Sequence, residues 1–476
     1  MSRSRFLLML VFAIPMWGSG EVGIPVPNPD MNVYQVVTIS DLHFNPFYDP
    51  TLYPALVAAD ASQWATIFRR SKITAPSGGG TDTNYPLLAL TLASMKQKMG
   101  ASPVVLFTGD VLGHNIPAMF YTAYYKESAY PTPDAAAIAA MHQFIDKTVS
   151  FVAAQIREAA GYAPVMYVVG NIDTYGVGLG PDSTFLTNNA RTIYSQFLAD
   201  IVDERTFFDT FTSGGYYSVQ PPGSKLLLIG LNSNSFVDGT PTTADANTEL
   251  DWLNSQLEAA QAARQKVWIL MHVPPGANSQ ATAVNAAKAG TPDQVNETTT
   301  SMMWGLGYQA TFLQTLADYP GVVTLMLAGH THMDEYRILP TGNVLEQLPS
   351  ISPCFGNNPA FKVLTIARDT LTATDYKSFY YNLASMPEQF TGLYQLSATY
   401  GARGPLNSSL QQLYPRLVGN PTQRGAYIYY YDSGSTGENP LTKAPWNPIN
   451  AGNWPIFSCT ISKMDEPDYI DCVNTY

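Results

Sequence analysis

Val33-Tyr34-Gln35-Val36-Val37-Thr38-Ile39 runs straight into Ser40-Asp41-Leu42-His43. A near-continuous β-branched and aliphatic run suits a strand buried on both faces. The polar residues then fall where that strand must stop. The same layout recurs along the chain. Residues 104–107 lead into Thr108-Gly109-Asp110, and 165–169 into Gly170-Asn171. Residues 226–230 lead into Leu231-Asn232-Ser233, 267–270 into Met271-His272, and 322–327 into Ala328-Gly329-His330-Thr331-His332.

Helical patterns separate these runs. Residues 86–99 place Leu88, Leu92, Met95 and Met99 at helical spacing, and 248–263 do so with Leu250, Leu253 and Leu257. Residues 134–160 carry Ile138, Met141, Ile145, Val149, Val152 and Ile156 after Thr132-Pro133, so Thr132 or Asp134 is the expected N-cap. Alternating strands and helices predict an α/β domain, in which functional groups gather at the carboxyl ends of strands. After Ala373 the rhythm changes. Residues 376–417 read as helical with many aromatics, and 427–472 are rich in Pro, Gly, Asn and Tyr. The expected organisation is a catalytic domain over 33–373 and a smaller C-terminal subdomain over 374–476.

The 476 residues carry a formal charge of −12, which disfavours a nucleic-acid polymer as partner. Arg3 and Arg5 precede an apolar run over 6–17, and Gly18-Ser19-Gly20 follow. That order predicts a secretory signal peptide over residues 1–20, with an apolar run too short to span a membrane. No later segment reads as a transmembrane span. Secretion, or delivery to a lysosome-like endomembrane lumen, agrees with sequons at Asn296 and Asn407. Of the three cysteines, Cys459 and Cys472 are the expected disulfide pair, leaving Cys354 unpaired and buried.

The chain has only six histidines, and His43, His114, His272, His330 and His332 all fall at or just after strand ends. The sixth, His142, reads as a solvent-facing helix residue. Two divalent cations held close together need one bridging anionic oxygen and several N or O ligands. Asp110 is the expected bridge, because a carboxylate carries two oxygens. Asp41, His43 and His332 are expected at one cation, and Asn171, His272 and His330 at the other. Imidazole and oxygen donors without thiolate suit zinc, and also manganese or iron. Asn45 and Asn232 read as loop residues near the pocket, and Asp173 as a residue bonding its own loop.

The order D-x-H, G-D, G-N, H, G-H-x-H resembles the calcineurin-like metallophosphoesterases. A narrower resemblance is to the acid sphingomyelinase-like phosphodiesterases. It is carried by Asp41-Leu42-His43-Phe44-Asn45, by residues 109–114 and 266–276, and by Ala328-Gly329-His330-Thr331-His332 and residues 352–361. The Cys459-to-Cys472 spacing is similar too. It covers roughly residues 33–472. The resemblance implies a four-layer α-β-β-α sandwich with a small, mainly helical C-terminal subdomain. It implies two zinc ions and hydrolysis of small phosphodiesters by a metal-activated hydroxide, with peripheral contact to lipid as a further expectation. The substrates implied are sphingomyelin-like, choline-phosphate or nucleotide-type. The stretch before Asp41 is too short for a saposin domain, so the saposin-free members are the better match.

Two positions depart from related patterns. The family's G-N-H-[DE] reads Gly170-Asn171-Ile172-Asp173 here, and isoleucine cannot donate a proton. His114 matches the second active-site histidine and is the expected catalytic acid. A weakly catalytic metal- or ligand-binding protein is the alternative reading that Ile172 opens. Purple acid phosphatases place a tyrosine ligand three residues after the bridging aspartate; here Gly113 stands there.

Overall fold

Each of the apolar runs forms a strand because β-branched and aliphatic side chains fit a pleated surface covered on both faces. The computed structural model describes residues 32–476 apart from 101, 177, 179, 200, 222, 240–244 and 439–444. The expected signal segment over 1–20 lies outside the described residues. The strands are β1 (Val33–Ile39), β2 (Val105–Phe107), β3 (Val165–Tyr167), β4 (Tyr217–Val219), β5 (Leu226–Gly230) and β6 (Lys266–Leu270). They continue as β7 (Val323–Ala328), β8 (Glu335–Ile338), β9 (Val344–Gln347), β10 (Ala360–Ala367), β11 (Ala373–Tyr380) and β12 (Thr391–Gln395).

They build two six-stranded sheets, ordered β12-β11-β10-β1-β2-β3 and β4-β5-β6-β7-β9-β8. In the first, β1, β2 and β3 are parallel while β10, β11 and β12 are antiparallel additions. In the second, β5, β6, β7 and β9 are parallel, with β4 and β8 antiparallel at the edges. Helices cover both outer sides. Those over Tyr85–Met99, Ala135–Ala160 and Ala246–Ala262 match the expected segments within two residues. Asp134 is the N-cap of the second, accepting from the Ala137 N–H, so the aspartate and not Thr132 takes that place.

The sheets are stitched together by polar contacts as well as apolar packing. Tyr217 on β4 donates its hydroxyl to Tyr167 O on β3 at 2.5 Å. Lys362 on β10 reaches Glu346 on β9 at 2.6 Å and Asp334 at 2.7 Å, all three buried. A buried ammonium is tolerable only with such partners.

The reading of residues 376–417 as helical is corrected by the structure over 376–395. Tyr376 and Phe379 sit on β11, which pairs along β10 in a hairpin, and β12 pairs along β11. Aromatic residues favour strands wherever an open edge offers backbone partners, and β10 offers one. The sheet therefore continues past residue 373. Helices resume at Leu396–Tyr400, Leu406–Gly419, Pro421–Tyr431, Trp454–Ser462 and Glu466–Thr475. Cys459 and Cys472 form a disulfide between the last two. No helix among the described residues is long and apolar enough to cross a membrane.

Candidate metal centre

The parallel strands of both sheets end on the same side, and their exits interlock. Asp41 N–H donates to Gly109 O and His43 N–H to Asp110 O, both at 3.0 Å, while Gly329 N–H donates to His272 O at 3.0 Å. The chain must turn sharply there. Asp41, His43, Asp110, His330 and His332 all have left-handed backbone, with φ of 49°, 42°, 58°, 72° and 65°. Each such non-glycine residue costs about 1–3 kcal/mol and persists only where its surroundings enforce it. The bends let residues two apart turn toward a common point. The glycines of these motifs serve close approach: a Cβ on Gly170 would stand 2.0 Å from Asp110 Oδ1, and one on Gly329 2.5 Å from Ser40 Oγ.

All seven expected ligands are brought together. His43 Nε2 stands 3.0 Å from His332 Nε2, 3.3 Å from Asp110 Oδ2 and 3.9 Å from Asp41 Oδ1. His332 Nε2 lies 3.5 Å from Asp41 Oδ1. On the other side, His272 Nε2 lies 3.2 Å from Asp110 Oδ2 and 2.9 Å from Asn171 Oδ1, which is also 2.9 Å from His330 Nδ1. Asp41, His43, Asp110, His272 and His332 are buried, and Asn171 and His330 half-buried. Donors bound at 2.0–2.2 Å with tetrahedral angles stand about 3.3–3.6 Å apart. The observed spacings come close to that figure, so the donor set fits one cation on each side of Asp110. One expectation is refined. The two oxygens of Asp110 do not divide between the sides: Oδ2 faces both His43 and His272, and Oδ1 accepts the Ile172 N–H at 2.8 Å.

The electrostatics agree. Burial disfavours a charged imidazole, pushing His43 down to about 4, His330 down to about 3 and His332 well below its ordinary range. Neutral imidazoles are what metal ligation requires. Burial also raises Asp41 to about 7, and the Asp110 charge adds to the rise. Burial opposes charge on His272 as well, but the Asp110 carboxylate outweighs it and lifts that imidazole to about 9. Two carboxylates in one buried cage thus call for positive charge, which a proton or a cation can supply.

Outer contacts fix the candidate ligands. His43 Nδ1 bonds Leu112 O at 3.1 Å and His272 Nδ1 bonds Thr108 O at 2.7 Å, turning each Nε2 inward. His332 Nδ1 instead meets the half-buried thiol of Cys354 at 3.5 Å. Asp173 does far more than bond its own loop. Its carboxylate accepts the N–H groups of Asp110 (3.0 Å), Val111 (2.8 Å), Leu112 (3.2 Å) and Gly170 (2.9 Å), and the Tyr167 hydroxyl (2.7 Å).

A second buried carboxylate supports the His272 side. Ser233 Oγ accepts the His272 N–H at 3.1 Å. The Ser233 loop is held by Glu249, which accepts Asn232 N–H at 2.7 Å and Ser235 Oγ–H at 3.0 Å. Burial lifts Glu249 from 4.5 to about 8 against those bonds. Between those two values the folded chain holds a proton that the unfolded chain has released, so stability falls as pH rises through this window. Glu249→Gln keeps an acceptor for Asn232 and removes the titration. It should match wild type near pH 4 and be more stable at pH 8 by roughly 1–3 kcal/mol. Urea unfolding of the metal-free protein at the two pH values measures this, and parallel curves would refute it.

His114 lies beside the ligand cage, its ring stacked on His43 at 4.2 Å. Asp82 clamps it twice, accepting the His114 N–H at 2.7 Å and facing Nδ1 at 2.8 Å. Burial works against charge on this ring, but the Asp82 bond and charge prevail and raise its pKa. No motif marks Asp82 in the sequence. A Cβ at Gly113 would stand 3.0 Å from both Asp82 Oδ2 and Phe44 O, a tight fit for any side chain. His142 is not solvent-facing as expected: it is half-buried and stacked on Tyr175 at 3.8 Å, bracing the loop that follows Asn171. Asn45 and Asn232 are turn residues, bonding Phe47 N–H and Gly214 O. The sequon Asn296 is exposed in a loop, and Asn407 is half-buried in the first turn of its helix.

Comparison with known proteins adds a family. The calcineurin-like phosphoesterase profile matches residues 34–334. The chain is 26% identical over 245 residues to Sphingomyelinase phosphodiesterase C of Dictyostelium discoideum, covering 46% of this chain and 49% of that one. It is 24% identical to Sphingomyelinase phosphodiesterase D of the same organism, over 80% of this chain and 84% of that one. It is also 23% identical to human Acid sphingomyelinase-like phosphodiesterase 3b, over 84% of this chain and 83% of the relative. The chain thus spans about half the length of the first of these relatives and most of the other two.

Proposed function

Because the chain belongs to the calcineurin-like phosphoesterase family, we propose that it is a dinuclear-metal phosphodiesterase acting on small phosphodiesters, of sphingomyelin-like, choline-phosphate or nucleotide type. The observation that carries this reading is Asp110 Oδ2, one carboxylate oxygen facing His43 on one side and His272 on the other. Asp41, His43 and His332 would hold one cation, and Asn171, His272 and His330 the other, with zinc the best match to the donors. When bound, such a pair lowers the pKa of water and offsets charge on phosphoryl oxygens.

The chain's own residues do the rest. The neutral imidazoles and the two carboxylates set the charge of the cage. His114 stands at its edge with Nδ1 engaged by Asp82, leaving Nε2 as the nitrogen to deliver a proton to the departing oxygen. Asp82 is then a positioning residue. Asp82→Asn should lower kcat by about 10–10² with little change in KM, and flatten the pH profile, while metal content stays constant. An unchanged kcat would remove the pair from the reaction.

Ile172 replaces a group that could bond substrate. Esters with good leaving groups should therefore turn over fastest. Ile172→His should raise turnover of an alkyl diester by about 10–10² and leave a nitrophenyl diester nearly unchanged. No selective gain on the alkyl ester counts against this. The alternative, a metal- or ligand-binding member with weak catalysis, rests on the same isoleucine.

Secretion is supported by the basic-apolar-small order of residues 1–20, by the disulfide and by the exposed sequon at Asn296. Peripheral contact with lipid is part of the same proposal, and a nucleic-acid polymer is not, given the −12 charge. The deciding experiment loads the full chain with zinc, manganese or iron. It measures metal per chain and turnover of sphingomyelin, nucleotide and choline-phosphate diesters. Two cations bound and one class hydrolysed supports the proposal. Binding without turnover selects the alternative, and no binding under any loading removes both.

A further inference from the structure

A pocket of about 170 Å³ opens beside the ligand cage. His114 lines it, and so do Leu112, Ile116, Pro117, Ile172 and Thr174. Among the described residues no aspartate, glutamate, lysine or arginine lines it. Ile172 enters the wall for a definable reason. Its backbone N–H is committed to Asp110 Oδ1, a bond any residue but proline could make. The side chain is therefore released from the metal cage, and its half-buried sec-butyl surface faces the cavity and Gly178.

The apolar character continues outward. Ile116 and Pro117 open the helix Ile116–Tyr125, Ile-Pro-Ala-Met-Phe-Tyr-Thr-Ala-Tyr-Tyr, which carries no charged residue in its ten positions. It leaves Tyr124 41% exposed. A second cleft, on the Asn171 and His330 side, differs: the amides of Asn234 and Asn278 line it together with Met302 and Met303. His114 lines the first pocket and not the second, which assigns the departing arm of the substrate to the first.

We infer that this pocket receives the leaving alcohol and selects one whose body is uncharged and apolar, with Ile172 as the specificity-determining side chain. The inference rests on the phosphodiesterase reading. Its physics is burial: apolar surface entering the pocket gains about 25 cal/mol per Å². A cationic arm would lose hydration and find no counter-charge on the walls, where His114 is the one titratable side chain; an anionic arm has His114 alone to offset the same loss. An aryl alcohol and a long-chain lipid alcohol share this chemistry.

The test uses metal-loaded full-length protein and methyl aryl phosphodiesters whose phenols have matched pKa. One phenol bears a neutral methyl group, one a long alkyl chain, one a trimethylammonium and one a carboxylate. The neutral esters should exceed the trimethylammonium one by at least ~10-fold in kcat/KM, the factor ~1.4 kcal/mol of lost burial would give, and the carboxylate one by a smaller margin, since His114 offsets part of its charge. A further gain for the long chain marks a lipid alcohol, and equal values for the two neutral esters an aryl-sized one; both keep the pocket apolar. Ile172→Asp should shift preference toward the trimethylammonium ester by at least ~10-fold, since a carboxylate then lines the wall. Calorimetric binding of the matching non-hydrolysable phosphonates to wild type gives the same ranking without any variant or turnover. Equal kcat/KM across the series, with equal phosphonate affinities, overturns the inference and leaves the phosphodiesterase reading standing. No turnover of any ester by protein holding two cations overturns that reading, and the phosphonate ranking then judges the pocket alone.

Discussion

Asp110→Asn should lower kcat/KM for every phosphodiester by at least roughly 10³ and reduce bound metal to one cation per chain or fewer. The replacement has nearly the same shape, so the effect is one of charge and of hydrogen direction. Asp110 Oδ1 accepts the Ile172 N–H, while Oδ2 faces the Nε2 atoms of His43 and His272 at 3.3 and 3.2 Å. An asparagine must keep its oxygen toward Ile172, because that N–H needs an acceptor. Its NH₂ then points into the cage, where it donates toward the two imidazoles and occupies the place of the shared anionic oxygen. Metal analysis of the purified variant, turnover of a nitrophenyl diester and a near-wild-type unfolding curve together make the measurement. Full metal content with activity within tenfold of wild type would dissolve the two-cation reading.

Asp173→Ala should cost about 3–5 kcal/mol of stability in the metal-free protein, the range for breaking a fully engaged buried carboxylate. Four backbone N–H groups and the Tyr167 hydroxyl converge on this side chain. Removing it strands all of them in a place water does not reach, and each orphaned donor costs about 1–3 kcal/mol before relaxation. Asp173→Asn is not a gentle substitute: its NH₂ would face N–H donors whichever way the amide turns. The bonds span the exits of β2 and β3, so both variants should also weaken metal binding through the displaced Asp110. Urea unfolding and a zinc titration separate the two effects. A loss under ~1 kcal/mol would mean that the loop finds other acceptors and that Asp173 carries little of its geometry.

What could be read before the fold was known follows from local chemistry. The β-branched runs ahead of Asp41, Asp110, Asn171, His272 and His330 announce buried strands, and side-chain shape acts on the backbone of its own residue. The ligand types were equally legible, since imidazoles, carboxylates and an amide clustered at strand ends point to cation chemistry whatever the packing. The glycine before Asp110, Asn171 and His330 is visible in the sequence, but its reason, close backbone approach, comes from the steric contacts at Gly170 and Gly329.

Other features depend on partners distant in sequence, and no local pattern carries them. Asp82 lies 32 residues from His114, in a loop without a motif, and becomes its clamp only when the exits of β1 and β2 braid together. Residues 376–417 read as helical because the aromatic content was all there was to read; the open edge of β10 is what draws residues 376–395 into the sheet. Composition and periodicity thus determined that this chain builds layered strands with nitrogen and oxygen donors at their ends. Only the tertiary structure decided that one oxygen of Asp110 faces both halves of the cage, that Asp173 holds the loop beneath it, and that Ile172 looks into a pocket walled without carboxylate, lysine or arginine among the described residues. The reason is that side-chain type acts at the residue itself, whereas direction, shared contacts and the walls of a cavity arise when segments tens to hundreds of residues apart close on one another.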